Sequence, residues 1–223
     1  MKVLKKTAIA VAVITSLGAS TQAIAGLEGN IGATSNYIWR GVTQTNDRAA
    51  VSGGLDYSHD SGFYLGAWAS NLDGSQYELD LYGGYGMDIG ALGLDFGLIS
   101  YEYPVEPDDY FREVYFNGSW SVLNFGVAYT FDSEDDDSAE FSSGDIYLNL
   151  GADFDLGNDW SLGAYIGDYD FDDSDGEDYT HYGVAVSKAA GDFGDLTFAI
   201  DKNDLDASGA DDPRVSVSWV KTF

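Results

Sequence analysis

The stretch that decides the fold is residues 77–86, YELDLYGGYG, in which tyrosine and leucine alternate with acidic residues and glycine. The same alternation recurs at residues 92–98 (LGLDFGL), 123–131 (LNFGVAYTF) and 215–219 (VSVSW). Successive side chains of an extended strand point to opposite faces, so this period places apolar side chains on one face and small or polar ones on the other. Glycine occurs 28 times and would weaken helices throughout. The chain is therefore predicted to be all-β.

These runs predict about twelve strands of roughly 9–11 residues, the length that a tilted membrane strand needs. Residues 41–47, 103–109 and 132–142 form long polar connections, whereas residues 58–61 and 118–121 form short turns. A barrel with long outer loops and tight periplasmic turns shows this alternation. The sequence thus predicts a transmembrane antiparallel β-barrel with both chain ends on the short-turn side. The predicted strands are residues 29–40, 48–58, 62–70, 76–86, 91–102, 110–118, 121–131, 143–153, 159–168, 179–189, 194–202 and 213–223.

The first 25 residues are typical of a signal peptide. Three lysines within residues 1–6 precede an apolar run over residues 7–17, and residues 23–25 (AIA) form an A-x-A cleavage site. The apolar run is shorter than the ~20 residues that a membrane helix requires. We therefore predict cleavage after Ala25 and a single barrel domain over residues 26–223.

Composition excludes several classes of function. Without the signal peptide the formal charge is 7 − 38 = −31, because the peptide holds three of the ten Lys+Arg and none of the 38 Asp+Glu. Nucleic-acid binding needs clustered Lys and Arg, so no nucleic-acid partner is predicted. An aromatic content of 15% argues against disorder. The chain has no cysteine, which excludes a disulfide or a thiolate zinc site.

Aromatic residues cluster near the predicted strand ends, where the interfacial girdles of a membrane barrel lie. Cross-strand packing within a sheet is the alternative. The C-terminal Phe223 follows alternating apolar residues and resembles the signal that the outer-membrane barrel assembly machinery recognises. The aromatic residues concerned are Tyr37, Trp39, Tyr57, Phe63, Tyr101, Phe131, Trp160, Tyr179 and Trp219.

Charged residues on the predicted inward face are the candidates for a pore constriction. The alternation beside Tyr37 and Trp39 turns Asn36 and Arg40 inward, towards acidic side chains. Opposed basic and acidic side chains create a transverse field that selects ions. In the alternative, the arginines pair with acidic loops or bind lipid phosphates. The pore-lining candidates are Asn36, Arg40, Asp56, Glu78, Asp80, Asp95 and Glu113.

Two acidic stretches, residues 133–137 (SEDDD) and 168–178, fall in predicted outer loops. Oxygen-rich loops suit Ca²⁺, but Phe171 and Tyr182 stand where the first and last carboxylates of an EF-hand loop belong. The favoured interpretation is a solvated acidic rim, bridged by divalent cations to lipopolysaccharide phosphates; no metal or cofactor site is predicted. His59 and His181 fall at opposite ends of the barrel without a third catalytic partner, so no enzyme is predicted.

Residues 35–45 (SNYIWRGVTQT) and 53–71 (GGLDYSHDSGFYLGAWASN) resemble the TorF-type porins, a proteobacterial family without a known substrate. Residues 78–85 and 110–115 match the same family, and the resemblance extends over the whole mature chain. The element Arg40-Gly41-x-x-Gln44 is similar to the hallmark of the family. The resemblance implies an outer-membrane barrel and brings no catalytic residues.

These features predict an exported outer-membrane barrel of a Gram-negative bacterium, in contact with membrane lipids and lipopolysaccharide. Small inward residues favour an open lumen and passive diffusion of small solutes or ions, and the acidic balance favours cations. The alternative is a non-conducting structural or surface-interaction barrel, and an outer-membrane lipase is a third, without a credible triad. The sequence leaves open the oligomeric state and whether a loop plugs the lumen. The small inward residues are Gly54, Gly84, Gly97, Gly126, Gly151 and Gly163.

Overall fold

The computed structural model describes residues 26–105, 109–134, 141–173, 176–206 and 209–223. The predicted signal peptide lies outside these ranges, so cleavage after Ala25 stays a prediction.

Twelve strands within these ranges form one closed antiparallel barrel, which confirms the predicted fold. Neighbours pair in chain order, and β14 closes the ring by pairing with β1, where Trp219 lies opposite Ala33. A separate two-stranded hairpin, β2 and β3, lies in the connection between β1 and β4. The strands are β1 (Gly26–Thr34), β2 (Ile38–Trp39), β3 (Val42–Thr43), β4 (Ala50–Ser58), β5 (Phe63–Asn71), β6 (Tyr77–Ile89), β7 (Leu92–Glu102), β8 (Tyr110–Trp120), β9 (Leu123–Ser133), β10 (Ile146–Gly157), β11 (Trp160–Asp170), β12 (Tyr179–Ala189), β13 (Asp195–Asn203) and β14 (Arg214–Thr222).

Single 3₁₀ turns occur at Asp73–Ser75 and Gly191–Phe193. Within the described ranges, the helical segments are too short and too polar to cross a membrane as helices.

The outward face of the barrel is apolar. Leu65, Val184 and Ile200 leave 60%, 50% and 55% of their surface exposed, whereas Ser187 and Thr197 on the inward face are buried. A contiguous apolar exterior of this kind is stable only in contact with lipid, and the closed ring leaves no backbone edge unpaired. The fold is therefore a transmembrane barrel, with polar and small side chains in its lumen.

The connections alternate in length as predicted. One end of the barrel, the long-loop end, carries the described residues 35–49, 72–76, 103–105, 109, 134, 141–145, 171–173, 176–178, 204–206 and 209–213. The other end, the short-turn end, carries residues 59–62, 90–91, 121–122, 158–159 and 190–194, together with both ends of the barrel domain.

Several predicted boundaries are wrong: β6 runs to Ile89 and not to residue 86, and β10 covers Ile146–Gly157 and not residues 143–153. The first barrel strand ends at Thr34 and does not continue to residue 40, because its pairing with β14 stops where Thr34 lies opposite Ser218. The chain then leaves the wall and folds into the lumen. The predicted turn at residues 118–121 is also misplaced, since β8 runs to Trp120 and the turn contains only residues 121–122.

The predicted aromatic girdles hold only in part. Phe63, Phe131 and Trp160 point outward and are exposed. In contrast, Tyr37, Trp39, Tyr101 and Tyr179 are buried in the lumen, so the girdle interpretation is wrong for these four. Tyr101 and Tyr179 lie on the inward face of their strands, and Tyr37 and Trp39 belong to the inserted loop.

Candidate functional site

The inserted loop, residues 35–49, is built around a tight hairpin turn. Ile38 pairs with Thr43 and Trp39 with Val42, which leaves Arg40 and Gly41 as the two turn residues. Their φ angles are 45° and 81°. Positive φ at both central positions is what a type I′ hairpin turn requires, and the turn thereby places the Arg40 side chain deep in the barrel.

A second network fixes the base of the loop. The side-chain oxygen of Asn36 accepts hydrogen bonds from the hydroxyls of Thr43 (2.6 Å) and Thr45 (3.3 Å), and its amide donates to Asp47 (2.7 Å). The backbone N–H of Tyr37 donates to the Thr45 hydroxyl at 3.1 Å. These bonds make the loop a preformed unit, held in shape by its own side chains.

Arg40 forms a bidentate ion pair with Glu113 of β8. Its two terminal nitrogens each lie 2.7 Å from one carboxylate oxygen, and the side chains are only 5% and 2% exposed. The guanidinium carbon lies 4.1 Å from the ring centre of Tyr147, 4.3 Å from Trp39 and 5.0 Å from Tyr169. A planar cation between aromatic faces and a forked carboxylate gains both cation–π attraction and two charge-assisted hydrogen bonds.

Burial by itself lowers the pKa of Arg40, but the Glu113 carboxylate, together with Tyr169 and Tyr101, more than offsets it and raises the pKa well above the ordinary value. Arg40 is therefore charged at any physiological pH. Removing one partner of such a pair leaves an uncompensated buried charge, which costs roughly 3–5 kcal/mol.

Further contacts anchor the loop to the wall. The Tyr37 hydroxyl donates to Glu78 at 2.8 Å, and the Asn203 amide donates to the carbonyl of Gly41 at 2.8 Å. Burial, followed by the carboxylates of Glu78 and Asp80, raises the pKa of Tyr37 well above its ordinary value, so the phenol stays a donor. These contacts come from β6 and β13, on different sides of the barrel.

A cluster of buried aromatic side chains fills the lumen at the long-loop end. Trp39 makes edge contacts with Tyr101 and Tyr169, at ring-centre distances of 5.6 and 6.2 Å. Phe141, from the loop between β9 and β10, packs on Trp39 at 5.8 Å. Tyr103 and Leu205 from two further loops pack against the same cluster. The long-loop end of the barrel is therefore closed by side chains.

The lumen is polar nearer the short-turn end. Tyr64 donates to Asp95 at 2.7 Å, and Tyr82 donates to Asp56. A third pair, in which Tyr165 donates to Asp201, lies closer to the long-loop end, where Asp201 is opposite Arg214. These pairs lie on β4–β7, β11 and β13, where most of their inward neighbours are glycine, asparagine or serine.

Exposed carboxylates continue this polar section. Asp153 and Glu28 face the lumen near the short-turn end, and both are exposed to solvent. Arg112, Lys188 and Lys202 point away from the lumen. Among the described strands, Arg214 is the basic residue that lies opposite an inward residue, Asp201, and it lies at the rim. The polar section therefore carries a negative field.

The structure divides the predicted pore-lining residues into four groups. Arg40 and Glu113 meet directly, as opposed charges. Glu78 and Asp80 are buried beside the loop, 3% and 5% exposed. The remaining residues divide between the polar section, which holds Asp56 and Asp95, and the base of the loop, which holds Asn36.

Sequence reasoning missed Tyr101 and Tyr169 as wall residues that surround Arg40, although the strand period predicts that Tyr147 faces the lumen. Tyr101, Tyr147 and Tyr169 occupy inward positions on their strands, beside glycine and carboxylate residues. The strand period of two is therefore the sequence feature that indicates their inward direction. His181 also lies there: it stacks on Tyr147 with ring centres 5.8 Å apart and bonds its hydroxyl at 2.9 Å. Nothing local to Asn203 indicates that it binds a loop 162 residues earlier.

The other candidate chemistry is dispersed. Within the described ranges no group of three or more His, Cys, Asp or Glu side chains could hold a metal ion, and acidic residues 135–137 lie outside those ranges. His59 lies in the turn between β4 and β5, where it contacts Ser61 at 2.7 Å. It is at the opposite end of the barrel from His181, as predicted, and Ser187 bonds Thr197.

These features define the class of the protein: a transmembrane β-barrel whose lumen is closed at one end by an inserted loop. A family model described as "Bacterial protein of unknown function (Gcw_chp)" matches residues 18–212, and the chain belongs to that family. The narrower resemblance to the TorF-type porins is not confirmed by this match.

Solved structures share the fold. A structure described as "KdgM porin" is 9% identical with a TM-score of 0.62, over 88% of this chain and 99% of that one. A second, "KdgM porin in complex with disordered oligogalacturonate", is 9% identical with a TM-score of 0.58, over 88% and 98% of the two chains. At this identity the likeness concerns the fold alone. No curated protein matches the sequence.

Proposed function

We propose that this protein is an outer-membrane channel for the passive diffusion of small solutes or ions, and that it prefers cations. The observation that carries the proposal is the closed twelve-stranded barrel with an apolar exterior and a polar, glycine-rich lumen. The porin fold of the structural neighbours supports it. We further propose that the chain is a TorF-type porin, exported by the peptide that ends at Ala25. Its C-terminal Phe223 would then bind the barrel assembly machinery, and its acidic loops would face lipopolysaccharide.

The proposed cation preference rests on the charges along the lumen. Asp56 and Asp95 line the polar section, and Arg40 is neutralised by Glu113. Carboxylates in a narrow lumen attract cations more strongly than they would in bulk water, because the low-dielectric wall focuses their field. Anionic solutes meet a repulsive field in the same section.

In the proposed channel, the inserted loop is the gate. The aromatic cluster closes the long-loop end, so passage requires residues 35–49 to move away from the wall. The loop is suited to such movement, because its internal hydrogen bonds hold its shape when it leaves. The population of the withdrawn state sets the fraction of time that the channel is open.

Single-channel recording in planar bilayers tests the proposal. In a KCl gradient we expect channel events with a reversal potential on the cation-selective side. The double variant Asp56→Asn/Asp95→Asn should shift that potential towards zero, and Asp73→Asn, which changes an exposed loop carboxylate, should not. Anion selectivity in the wild-type protein, or an unchanged potential in the double variant, would contradict the proposed cation path.

A second candidate function is a non-conducting structural barrel, which is favoured by the aromatic cluster that closes the lumen. The two candidates differ in a variant with a released loop. If neither the wild-type protein nor Glu113→Gln shows channel events, the barrel is structural. Events that increase in Glu113→Gln favour the gated channel.

A further inference from the structure

We infer that the wall around Arg40 is a binding site for a solute that carries a free guanidinium or ammonium group, and that the loop's own arginine occupies it here. The inference rests on the proposed channel function and names a class of solute for it. The loop then acts as a tethered competitor of that solute.

The site belongs to the barrel wall and not to the loop. Glu113 lies on β8, Tyr147 on β10, Tyr169 on β11 and Tyr101 on β7. The Tyr101 hydroxyl lies 3.3 Å from the Glu113 carboxylate and helps to orient it. Among the described residues that contact the guanidinium through a ring face or a hydrogen bond, Trp39 is the one that comes from the loop. When the loop withdraws, the strands keep a carboxylate and two aromatic faces in place.

The site recognises only the end of the arginine side chain. Both terminal nitrogens bind Glu113, whereas the Arg40 Nε has no hydrogen-bond partner within the described part of the chain. A free alkylguanidinium presents the same two nitrogens and the same flat face without the backbone. Its alkyl group takes the position of the Arg40 stem, so it fits the site in the same pose.

The chemistry of the site selects the solute. A forked carboxylate binds a guanidinium through two parallel hydrogen bonds, and an ammonium ion through one or two. The aromatic faces favour a cation and give no such attraction to a neutral molecule of the same shape. An anionic solute would meet Glu113 without a counter-charge. We therefore expect the affinity of the site to decrease from guanidinium to ammonium to neutral solutes, and we expect anions not to bind.

The loop and the solute exclude one another because they need the same carboxylate. A solute that binds only the withdrawn state shifts the population towards that state. A cationic solute that replaces Arg40 on Glu113 thus opens the gate that the proposed channel needs.

The test removes Arg40, which competes for the site, and adds a free guanidinium cation. Purified Arg40→Ala in detergent should bind methylguanidinium with a Kd on the order of 1 mM, the affinity open to so small a ligand. Ligand-observed NMR titration measures it, and urea is the neutral control of the same shape. Arg40→Ala/Glu113→Gln should lose binding at least tenfold. Arg48→Ala, which removes an exposed arginine of the same loop, should bind no better than wild type.

Equal binding by Arg40→Ala and the double variant, or equal binding of urea, would overturn the inference. Binding needs no ion current, so its failure is distinct from failure of the channel proposal. If Arg40→Ala does not fold, the wild-type background provides a second measurement. The chain has no cysteine, so Val42→Cys places one thiol on the half-buried hairpin. Methylguanidinium should raise its maleimide labelling rate severalfold over urea, and equal rates would overturn the inference.

Discussion

Replacing Glu113 by glutamine removes one charge from the lumen while preserving the length and shape of the side chain. Arg40 then remains charged and buried, with 5% of its side chain exposed and no ionised partner. Breaking a buried pair in this way costs roughly 3–5 kcal/mol. We expect a value near 3 kcal/mol, because the glutamine oxygen still accepts one of the two hydrogen bonds from Arg40.

This free-energy cost destabilises the docked state of the loop and leaves the stability of the barrel unchanged. The strands keep their backbone pairing whether or not the loop is docked, whereas withdrawal returns Arg40 to water. A change of about 3 kcal/mol shifts the ratio of withdrawn to docked loop by roughly 150-fold. Glu113→Gln should therefore be a folded barrel in which the ratio of withdrawn to docked loop is roughly 150-fold higher than in the wild-type protein.

Limited proteolysis measures this shift without relying on ion current. Trypsin cleaves after arginine, and Arg40 is buried whereas 71% of the Arg48 side chain is exposed. Cleavage of a transiently opened segment follows the equilibrium population of the open form when closing is fast. The rate at Arg40, relative to Arg48, should thus rise by about 100-fold in Glu113→Gln.

Glu28→Gln is the matched control, because it makes the same chemical change at an exposed lumen carboxylate far from the loop. Its cleavage at Arg40 should equal that of the wild-type protein. If Glu113→Gln leaves the ratio of the two cleavage rates unchanged, the ion pair does not hold the loop, and the reasoning about the gate fails.

Three further predictions concern the loop and the outward face. Gly41→Ala places a Cβ against the ring of His181 at a φ of 81°, so tryptic cleavage after Arg40 should rise tenfold or more. Gly74→Ala is the control, because its φ is 68° and the space around it is open, and it should leave that cleavage unchanged. Trp39→Ala removes the ring that joins the loop to the aromatic cluster, at a cost of roughly 3–5 kcal/mol, and should raise the open probability in single-channel recordings; an open probability equal to that of the wild-type protein would contradict this. Val184→Arg puts a charge on the lipid face and should destabilise the barrel by about 2–4 kcal/mol in urea-dependent refolding into vesicles, whereas Tyr57→Arg at a strand end should cost less than about 1 kcal/mol.

Much of the fold follows from local pattern. The period of two places Leu79 and Leu81 on one face and Glu78 and Asp80 on the other, and the structure keeps that assignment. Because faces and connection lengths are local properties, the strand number and the inward direction of the acidic residues were predictable from them.

The predicted end of the first strand is wrong because the alternating pattern continues beyond the last residue that pairs with a neighbouring strand. Apolar alternation runs on through Tyr37 and Trp39, so a strand to residue 40 was the natural prediction. The structure ends the strand at Thr34 because β14 offers no further pairing, and the positive φ of Arg40 and Gly41 turns the chain back on itself.

The sequence by itself therefore determined the barrel: which residues face lipid, which face the lumen, and which connections are long. Only the tertiary structure decided that the first loop enters the lumen, and that Arg40 and Glu113, which are 73 residues apart, form one ion pair. The physical reason is that strand faces depend on neighbours along the chain. The position of the loop depends on a carboxylate and aromatic rings that meet only when the ring of strands has closed.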